Sequence, residues 1–172
     1  MLFRSQGRLA GVILTAESVG AMDSAFEMTL AWAFDRYTFG RPLASYQALK
    51  HRFADMKSWL EASHAMSDAA AAAVAARADN AADLVSAAKA YIGENGVELA
   101  QECVQLHGGI GVTYEHDLHF FLRRVTLDRM GQRLDGTRLG KARRPLHQQV
   151  TIRQQRNQQA FHQHSLPDDL TR

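Results

Sequence analysis

The chain has 172 residues, of which 46% are hydrophobic, 22% charged and 8% aromatic; this composition is typical of one globular domain and excludes collagen-like and disordered chains. The net charge of +2 conceals an asymmetry, because residues 1–122 hold 9 Lys and Arg against 14 Asp and Glu, whereas residues 123–172 hold 11 against 4. The basic segment lacks interleaved aromatic residues and any nucleic-acid motif, so its favoured partner is a phosphate-bearing cofactor or an acidic protein surface and not nucleic acid. The alternative is that the segment forms a solvated basic face without a partner.

A first amphipathic helix is predicted between Arg8 and Arg36. Its apolar residues recur every three or four positions and therefore share one face: Val12, Ala16, Val19, Met22, Phe26, Leu30 and Ala33. Gly40 and Pro42 predict that the helix ends near residues 38–40, because glycine adopts a left-handed cap conformation and proline cannot continue a helix.

A second helix is predicted to begin after Ser45, whose side chain is typical of an N-cap. Its apolar positions lead into an alanine tract at residues 69–76, which indicates close packing against a neighbouring helix. No proline lies between residues 43 and 144, so long helices are favoured over many short strands.

A third helix is predicted from an N-cap at Asn80 to about Leu106. Gly93 and Gly96 lie inside it, and each costs about 1 kcal/mol relative to alanine, so they predict a close contact with a neighbouring helix or a ligand. A glycine-rich turn at residues 107–111 follows, and then a fourth helix over about residues 116–130.

The predicted fold is all-α, an antiparallel bundle of four to five helices over residues 1–146. A weaker basic helix after Asp135 would be the fifth. Residues 147–172 are rich in Gln and His and are predicted to be a basic tail, either a surface helix or disordered.

The single cysteine, Cys103, cannot form an intrachain disulfide, which predicts either a reducing compartment or indifference to redox state. A cytoplasmic location is expected. The longest apolar stretch near the start, residues 10–16, is far shorter than the ~20 residues of a membrane span. We therefore predict no transmembrane helix, no secretory signal and no membrane partner.

Two residue pairs have the spacing of metal ligands on a helix. Glu61 and His64 lie three positions apart, as in ferritin-like di-iron bundles, but such a site needs a second Glu-x-x-His, which the sequence lacks. His116 and His119 have the same spacing, without a cysteine or third histidine at a ligand spacing. A surface pair is the favoured interpretation of Glu61 and His64, and no metal site is predicted.

Two turns are more informative about ligands. Arg36 and Arg41 place two guanidinium groups beside aromatic residues at a helix end, and guanidinium is a fork-shaped donor suited to phosphate. Arg36 could equally interact with the C-terminal end of the helix dipole. In the second turn the glycines remove side chains at 108, 109 and 111, so that backbone N–H groups can approach a ligand.

The motifs around both turns point to one family. The strings RYTFGRPLASYQALKHRFADM, at 36–56, and QLHGGIGVTYEHDLHFFLRR, at 105–124, resemble the C-terminal helical domain of acyl-CoA dehydrogenases. The resemblance covers about residues 8–144 and includes the order and spacing of the helices. The residues after the glycines are similar to a bacterial subgroup, some of whose members act on bulky or steroid-derived CoA thioesters as assemblies of two subunit types.

The resemblance implies a flavoenzyme that removes two hydrogens from the α and β carbons of an acyl-CoA. A carboxylate takes the α proton, the β hydride goes to the flavin of FAD, and an electron-transfer flavoprotein reoxidises it. The resemblance assigns Arg36 to the FAD pyrophosphate of a neighbouring subunit. It assigns further cofactor contacts to Phe39, Gln47, Gln105, Gly108 and Gly109.

The family's catalytic base has no clear match in this chain. In one branch of the family a glutamate lies on the first helix of this domain, where this chain has Ala10. In the other branch it opens a Glu-Gly-Thr segment, whose nearest equivalent here begins at Asp135, while the strictly aligned position is near Gln132. Asp135 is therefore the candidate base, with the N-cap of a final basic helix as the alternative.

Complete family members also have an N-terminal helical domain and a middle β domain, so the resemblance predicts a C-terminal domain or a partial subunit. A homo- or hetero-oligomer with a subunit that supplies the missing domains is expected. The competing functions are a noncatalytic oligomerisation subunit or relic, and a metal-binding bundle built on Glu61 and His64.

Overall fold

The computed structural model describes residues 2–138, and within them the side chains of residues 6–130. Four long helices make up most of this part: α1 (Leu2–Asp35), α2 (Gln47–Ala75), α3 (Ala81–His107) and α4 (Leu118–Arg138). Two-residue strands, β1 (Tyr37–Thr38) and β2 (Arg41–Pro42), pair between α1 and α2, and short 3-10 turns cover Leu43–Ser45 and Gly108–Val112. The predicted all-α bundle is confirmed, while the predicted tail at 147–172 lies outside the described residues.

Helix α3 lies at the centre of the bundle and packs against α1, α2 and α4. Neighbouring helices α1 and α2 run antiparallel, since Phe26 contacts Phe53 edge-on and Asp23 contacts His64 further along. The core consists of apolar side chains from all four helices, the largest of which are almost completely buried: Met22, Met56, Leu60, Ile92, Leu99 and Leu118.

Glycine allows two close approaches to α3. A Cβ at Gly96 would lie 3.2 Å from the Met22 sulfur, which confirms the helix contact predicted there. A Cβ at Gly11 of α1 would lie only 2.5 Å from Val85 Cγ1. Both glycines therefore let α1 approach α3 more closely than an alanine would.

Polar side chains connect the outer helices. Ser18 donates a hydrogen bond to Asp128 at 2.6 Å, and Arg124 pairs with Glu17 at 2.5 Å, which together join α1 to α4. Arg52 pairs with Glu102 and joins α2 to α3. These contacts link neighbouring helices in addition to the apolar core.

The start of α2 differs from the prediction. Ser45 is not its N-cap, because residues 43–45 form a 3-10 turn in which the Ser45 hydroxyl donates to the Pro42 carbonyl at 2.7 Å. Helix α2 instead begins at Gln47 with Tyr46 as the capping residue, and no side chain caps it. Asn80 is the residue before α3, as predicted, and its side chain makes no capping hydrogen bond.

Over Gln6–Asp35, helix α1 is long and apolar enough to cross a membrane by length and composition alone. The short apolar stretch at residues 10–16 did not indicate this. The core helix of a bundle meets the same criterion. In this fold α1 contacts all three other helices and contributes Val19, Met22 and Phe26 to the core.

Candidate functional site

The first candidate segment is a tight hairpin at the end of α1. The backbone turns at Phe39 and Gly40, whose φ angles are 53° and 79°. Two consecutive positive φ angles are typical of a type I′ hairpin turn, in which a phenylalanine is uncommon. The turn leaves Phe39 93% exposed at the tip, so a large apolar ring is available to a neighbouring molecule.

Tyr46, which the sequence analysis did not select, holds this hairpin in place. Its hydroxyl donates to the Thr38 carbonyl at 2.6 Å, and the Arg41 guanidinium lies 3.9 Å from the centre of its ring. Gln47 follows as the first residue of α2, with its amide nitrogen 3.3 Å from His51 Nε2. The position of Tyr46 immediately before Gln47 was the only feature of the sequence that could have indicated this role.

The second candidate segment is the glycine turn after α3. Gly108 has a φ of 67°, and a Cβ at either Gly108 or Gly109 would meet nothing within 4 Å. Gly111, in contrast, is buried, and a Cβ there would lie 2.8 Å from the Val104 carbonyl oxygen. The turn is therefore folded back on α3 at Gly111, while its first two glycines leave the backbone open to a ligand. Gln105 is exposed one turn earlier on α3.

The two segments lie at the same end of the bundle. The Trp32 ring of α1 stacks on the His107 ring of α3, with centroids 5.4 Å apart and planes 18° from parallel. The Arg36 guanidinium lies 5.9 Å from the Trp32 ring on the same helix end. Arg36 and the glycine turn are thus connected through Trp32 and His107, a contact that no local sequence signal could have identified.

His107 is buried, and its one hydrogen bond fixes which ring nitrogen is protonated. Its Nδ1 lies 2.9 Å from the Cys103 carbonyl, which only accepts, so Nδ1 carries the proton. Its Nε2 is buried and has no hydrogen-bond partner among the described residues. Burial lowers the pKa of His107 below its usual value of 6.5, and His116, 4.4 Å away between ring centroids, lowers it further.

Cys103 on the same turn of α3 is not a nucleophile. Its side chain is fully buried, and burial raises the pKa of the thiol to about 11. The thiol therefore remains protonated near neutral pH, and only thiolates attack substrates efficiently.

The candidate metal ligands have other partners. Glu61 pairs with Lys57 at 2.7 Å, whereas His64 contacts Asp23 at 3.0 Å. Among the residues that the structure describes, no group of three or more His, Cys, Asp or Glu side chains could hold a metal ion.

Asp135 lies within helix α4. Helix α4 continues to Arg138, so Asp135 and the two residues after it have helical backbone. The alternative prediction, that Asp135 is the N-cap of a separate final helix, is therefore wrong. Residues 131–138 contain no proline, so nothing in this segment forbids the helix from continuing. The side chain of Asp135 lies outside the described residues, so its candidate role as a base stays a prediction.

The site residues fit a phosphate-bearing dinucleotide. The Arg36 guanidinium is exposed and contacts the Trp32 ring, and it has no carboxylate partner within residues 6–130. The backbone at Gly108 and Gly109 is open on its outer side. A cation with a fork of donors and an accessible glycine backbone are the groups that proteins use to bind pyrophosphate.

Comparison with known proteins identifies the family. Residues 8–138 match the family described as acyl-CoA dehydrogenase, C-terminal domain. The chain therefore belongs to the acyl-CoA dehydrogenase family and contains its C-terminal helical domain.

Its relatives are dehydrogenases of greater length. Acyl-CoA dehydrogenase IpdE2 of Mycobacterium tuberculosis is 40% identical over 118 residues, which are 67% of this chain and 35% of that protein. The chain thus spans about a third of the length of this curated relative.

Solved structures agree with the fold. A crystal structure of a putative acyl-CoA dehydrogenase from Mycobacterium smegmatis has a TM-score of 0.69 and 26% identity, covering 73% of this chain and 33% of that chain. A variant of the Tcur3481–Tcur3483 steroid ACAD has a TM-score of 0.71 and 28% identity, covering 77% of this chain and 37% of that chain. The four-helix arrangement is therefore that of this family's C-terminal domain.

Proposed function

We propose that this chain forms part of the FAD site of an acyl-CoA dehydrogenase that acts on the α and β carbons of an acyl-CoA thioester. The observation that supports this proposal is the proximity of the two candidate segments, which the stack of Trp32 on His107 brings to one end of the bundle. When bound, FAD would accept the hydride that leaves the β carbon. The chain's own residues would bind and orient the dinucleotide part of the cofactor.

Each candidate residue has a distinct role in this proposal. The Arg36 guanidinium binds the pyrophosphate of FAD held by a neighbouring subunit, and the exposed Phe39 and Gln47 line the same cofactor. Gly108 and Gly109 let the dinucleotide approach the backbone of the turn, which a side chain at either position would prevent. Gln105, exposed on the last turn of α3, lies along the same ligand.

Another subunit, or further domains of a longer chain, would supply the rest of the enzyme. Relatives such as IpdE2 are about three times as long as the matched segment. Apolar side chains that remain exposed on α1 and α4 support contact with such a subunit: Leu9, Ile13 and Leu14 on α1, and Leu127 and Met130 on α4. The proposed electron acceptor is an electron-transfer flavoprotein, and the proposed substrate class is a steroid-derived or fatty acyl-CoA. The proposed location is the cytoplasm.

Self-association of the isolated chain tests the subunit contact. We expect light scattering to give a mass above that of a monomer, because the exposed apolar residues favour burial against a second copy. A monodisperse monomer that binds no hydrophobic dye would contradict this prediction.

A noncatalytic partner subunit or relic is the second candidate function. It is favoured by the residues at the two family positions for the base, because Ala10 and Gln132 carry no carboxylate. In that case Asp135 would have no role in the reaction. Binding of FAD at this chain is compatible with both functions, whereas proton abstraction by this chain is compatible only with the first.

Calorimetric titration of the full chain with FAD tests the proposal directly. We expect a dissociation constant in the micromolar range or weaker, because the part of the enzyme that would contact the flavin ring is missing from the matched domain. FMN, which lacks the pyrophosphate and adenosine, is the matched control and is expected to bind at least tenfold more weakly. Equal affinities for FAD and FMN, or no binding of FAD, would overturn the proposed site.

A further inference from the structure

His107 occupies an unusual position between the two candidate cofactor segments. Its ring is buried, 5% exposed, although histidine is polar and titratable. Trp32 stacks on it at 5.4 Å and His116 contacts it edge-on at 4.4 Å. The side chain that immediately precedes Gly108 is thus enclosed by a ring from α1 and a ring from the segment before α4.

The ring also organises the end of its own helix. Nδ1 donates to the carbonyl of Cys103, one turn earlier on α3. Gly111 then packs on the Cβ of His107, where an added Cβ would lie 2.9 Å away. The 3-10 turn at 108–112 is therefore wrapped around this side chain.

The buried position of this histidine has an energetic cost. Its Nε2 and the indole Nε1 of Trp32 are both buried without hydrogen-bond partners among the described residues. Buried polar atoms without partners are rare in proteins because they lose hydration without compensation. A local benefit at this end of the bundle would offset that loss.

We propose that His107 is a positioning residue for the cofactor site, which holds the glycine turn in register with Arg36 through its stack on Trp32. The expected effect of His107 on FAD binding rests on the proposed function, whereas its expected effect on the order of the turn does not. Loss of the ring separates the α1 end from the turn, so that Gly108 and Arg36 no longer contact one dinucleotide together. The effect reaches FAD through the backbone of the turn and not through a direct contact.

Two substitutions in the full chain separate the ring from its hydrogen bond. His107→Asn keeps a donor for the Cys103 carbonyl but removes the ring, whereas His107→Phe keeps a stacking ring but removes the donor. His64→Asn, at a half-exposed histidine of α2, is the matched control. Far-UV circular dichroism first establishes that each variant is folded.

Hydrogen exchange of the amides at residues 108–112 measures the order of the turn. We expect exchange at least tenfold faster in His107→Asn, and within threefold of wild type in His107→Phe and His64→Asn. A further single variant, Trp32→Leu, removes the other ring of the stack. The double variant Trp32→Leu with His107→Asn is expected to exchange no faster than either single variant, because each of the three lacks the same stack. Unchanged exchange in His107→Asn, or equal acceleration in His107→Phe, would overturn the proposal.

Titration with FAD supplies the second readout. We expect His107→Asn to weaken FAD binding at least tenfold and His107→Phe to retain wild-type affinity within threefold. Equal affinity of His107→Asn and wild type would overturn the positioning role. If the wild-type chain binds no FAD, the proposed function fails, whereas hydrogen exchange still decides whether His107 positions the turn.

Discussion

Gly111 is the position in the glycine turn where the structure leaves no room for a side chain. A Cβ there would lie 2.8 Å from the Val104 carbonyl oxygen, 3.3 Å from Val104 Cα and 2.9 Å from His107 Cβ. None of these atoms is the end of a flexible side chain, so none can rotate away. The substitution Gly111→Ala therefore forces the turn to move away from α3.

The expected cost follows from these distances. Overpacking a buried position by one methyl group typically costs about 1–3 kcal/mol. Alanine also lowers the conformational entropy of the unfolded chain, which stabilises the folded state by about 0.4–1 kcal/mol. This gain applies at Gly111 because its φ is not positive. We predict a net loss of about 1–2 kcal/mol, and for a chain of this size about 2–4 °C in melting temperature for each kcal/mol.

Gly109→Ala is the matched control in the same turn, because an added Cβ there meets nothing within 4 Å. Its stability is expected to stay within about 0.5 kcal/mol of wild type. Urea denaturation followed by circular dichroism at a helical wavelength measures both variants under the same conditions. If Gly111→Ala unfolds at the same midpoint as Gly109→Ala, the described packing of the turn on α3 is wrong.

Three further predictions concern single side chains. Arg36→Ala should weaken FAD binding by about 1.5–3 kcal/mol, the range for a charge-assisted hydrogen bond; calorimetry measures this, and wild-type affinity in Arg36→Lys would favour the helix-end interpretation over fork geometry. Burial lowers the pKa of His107, so the neutral ring stabilises the fold fully above about pH 6.5, and this stability is lost as the pH falls through the folded-state pKa. Thermal melts between pH 5 and 8 should therefore show that wild type loses melting temperature more steeply on acidification than His107→Phe. Parallel profiles of the two proteins would contradict this. In the chain reconstituted with its partner, Asp135→Asn should lower flavin reduction by an acyl-CoA at least a hundredfold and Asp135→Glu should retain more activity; normal reduction in Asp135→Asn would assign the base to the partner.

The helices were predictable because their signals are local. Apolar residues at helical spacing in α1, the Asn80 cap and the long segment without proline each specify structure within a few turns. The hairpin at residues 37–42 was not predicted, because strands of two residues have no periodicity and Phe39 is an uncommon residue for a type I′ turn. Ser45 was misassigned because its hydroxyl bonds to the Pro42 carbonyl instead of capping α2.

The candidate site was predictable in its residues but not in its assembly. Arg36 and the glycines were selected from motifs that occupy single turns of the chain. The stack of Trp32 on His107, which brings those turns together, depends on how α1 packs against α3. Contacts between distant segments leave no local pattern, so neither Trp32 nor Tyr46 was selected from the sequence.

In the proposed function, this chain contributes Arg36 and the glycine turn to an FAD site shared with the rest of the enzyme. The most direct test is purification of the tagged chain from its native host, with the flavin absorption spectrum of the complex and its FAD content per chain. We predict a flavin-containing complex that loses most of its FAD when the tagged chain carries Arg36→Ala. A complex that contains no flavin, or one that retains full FAD content with Arg36→Ala, would contradict the claim.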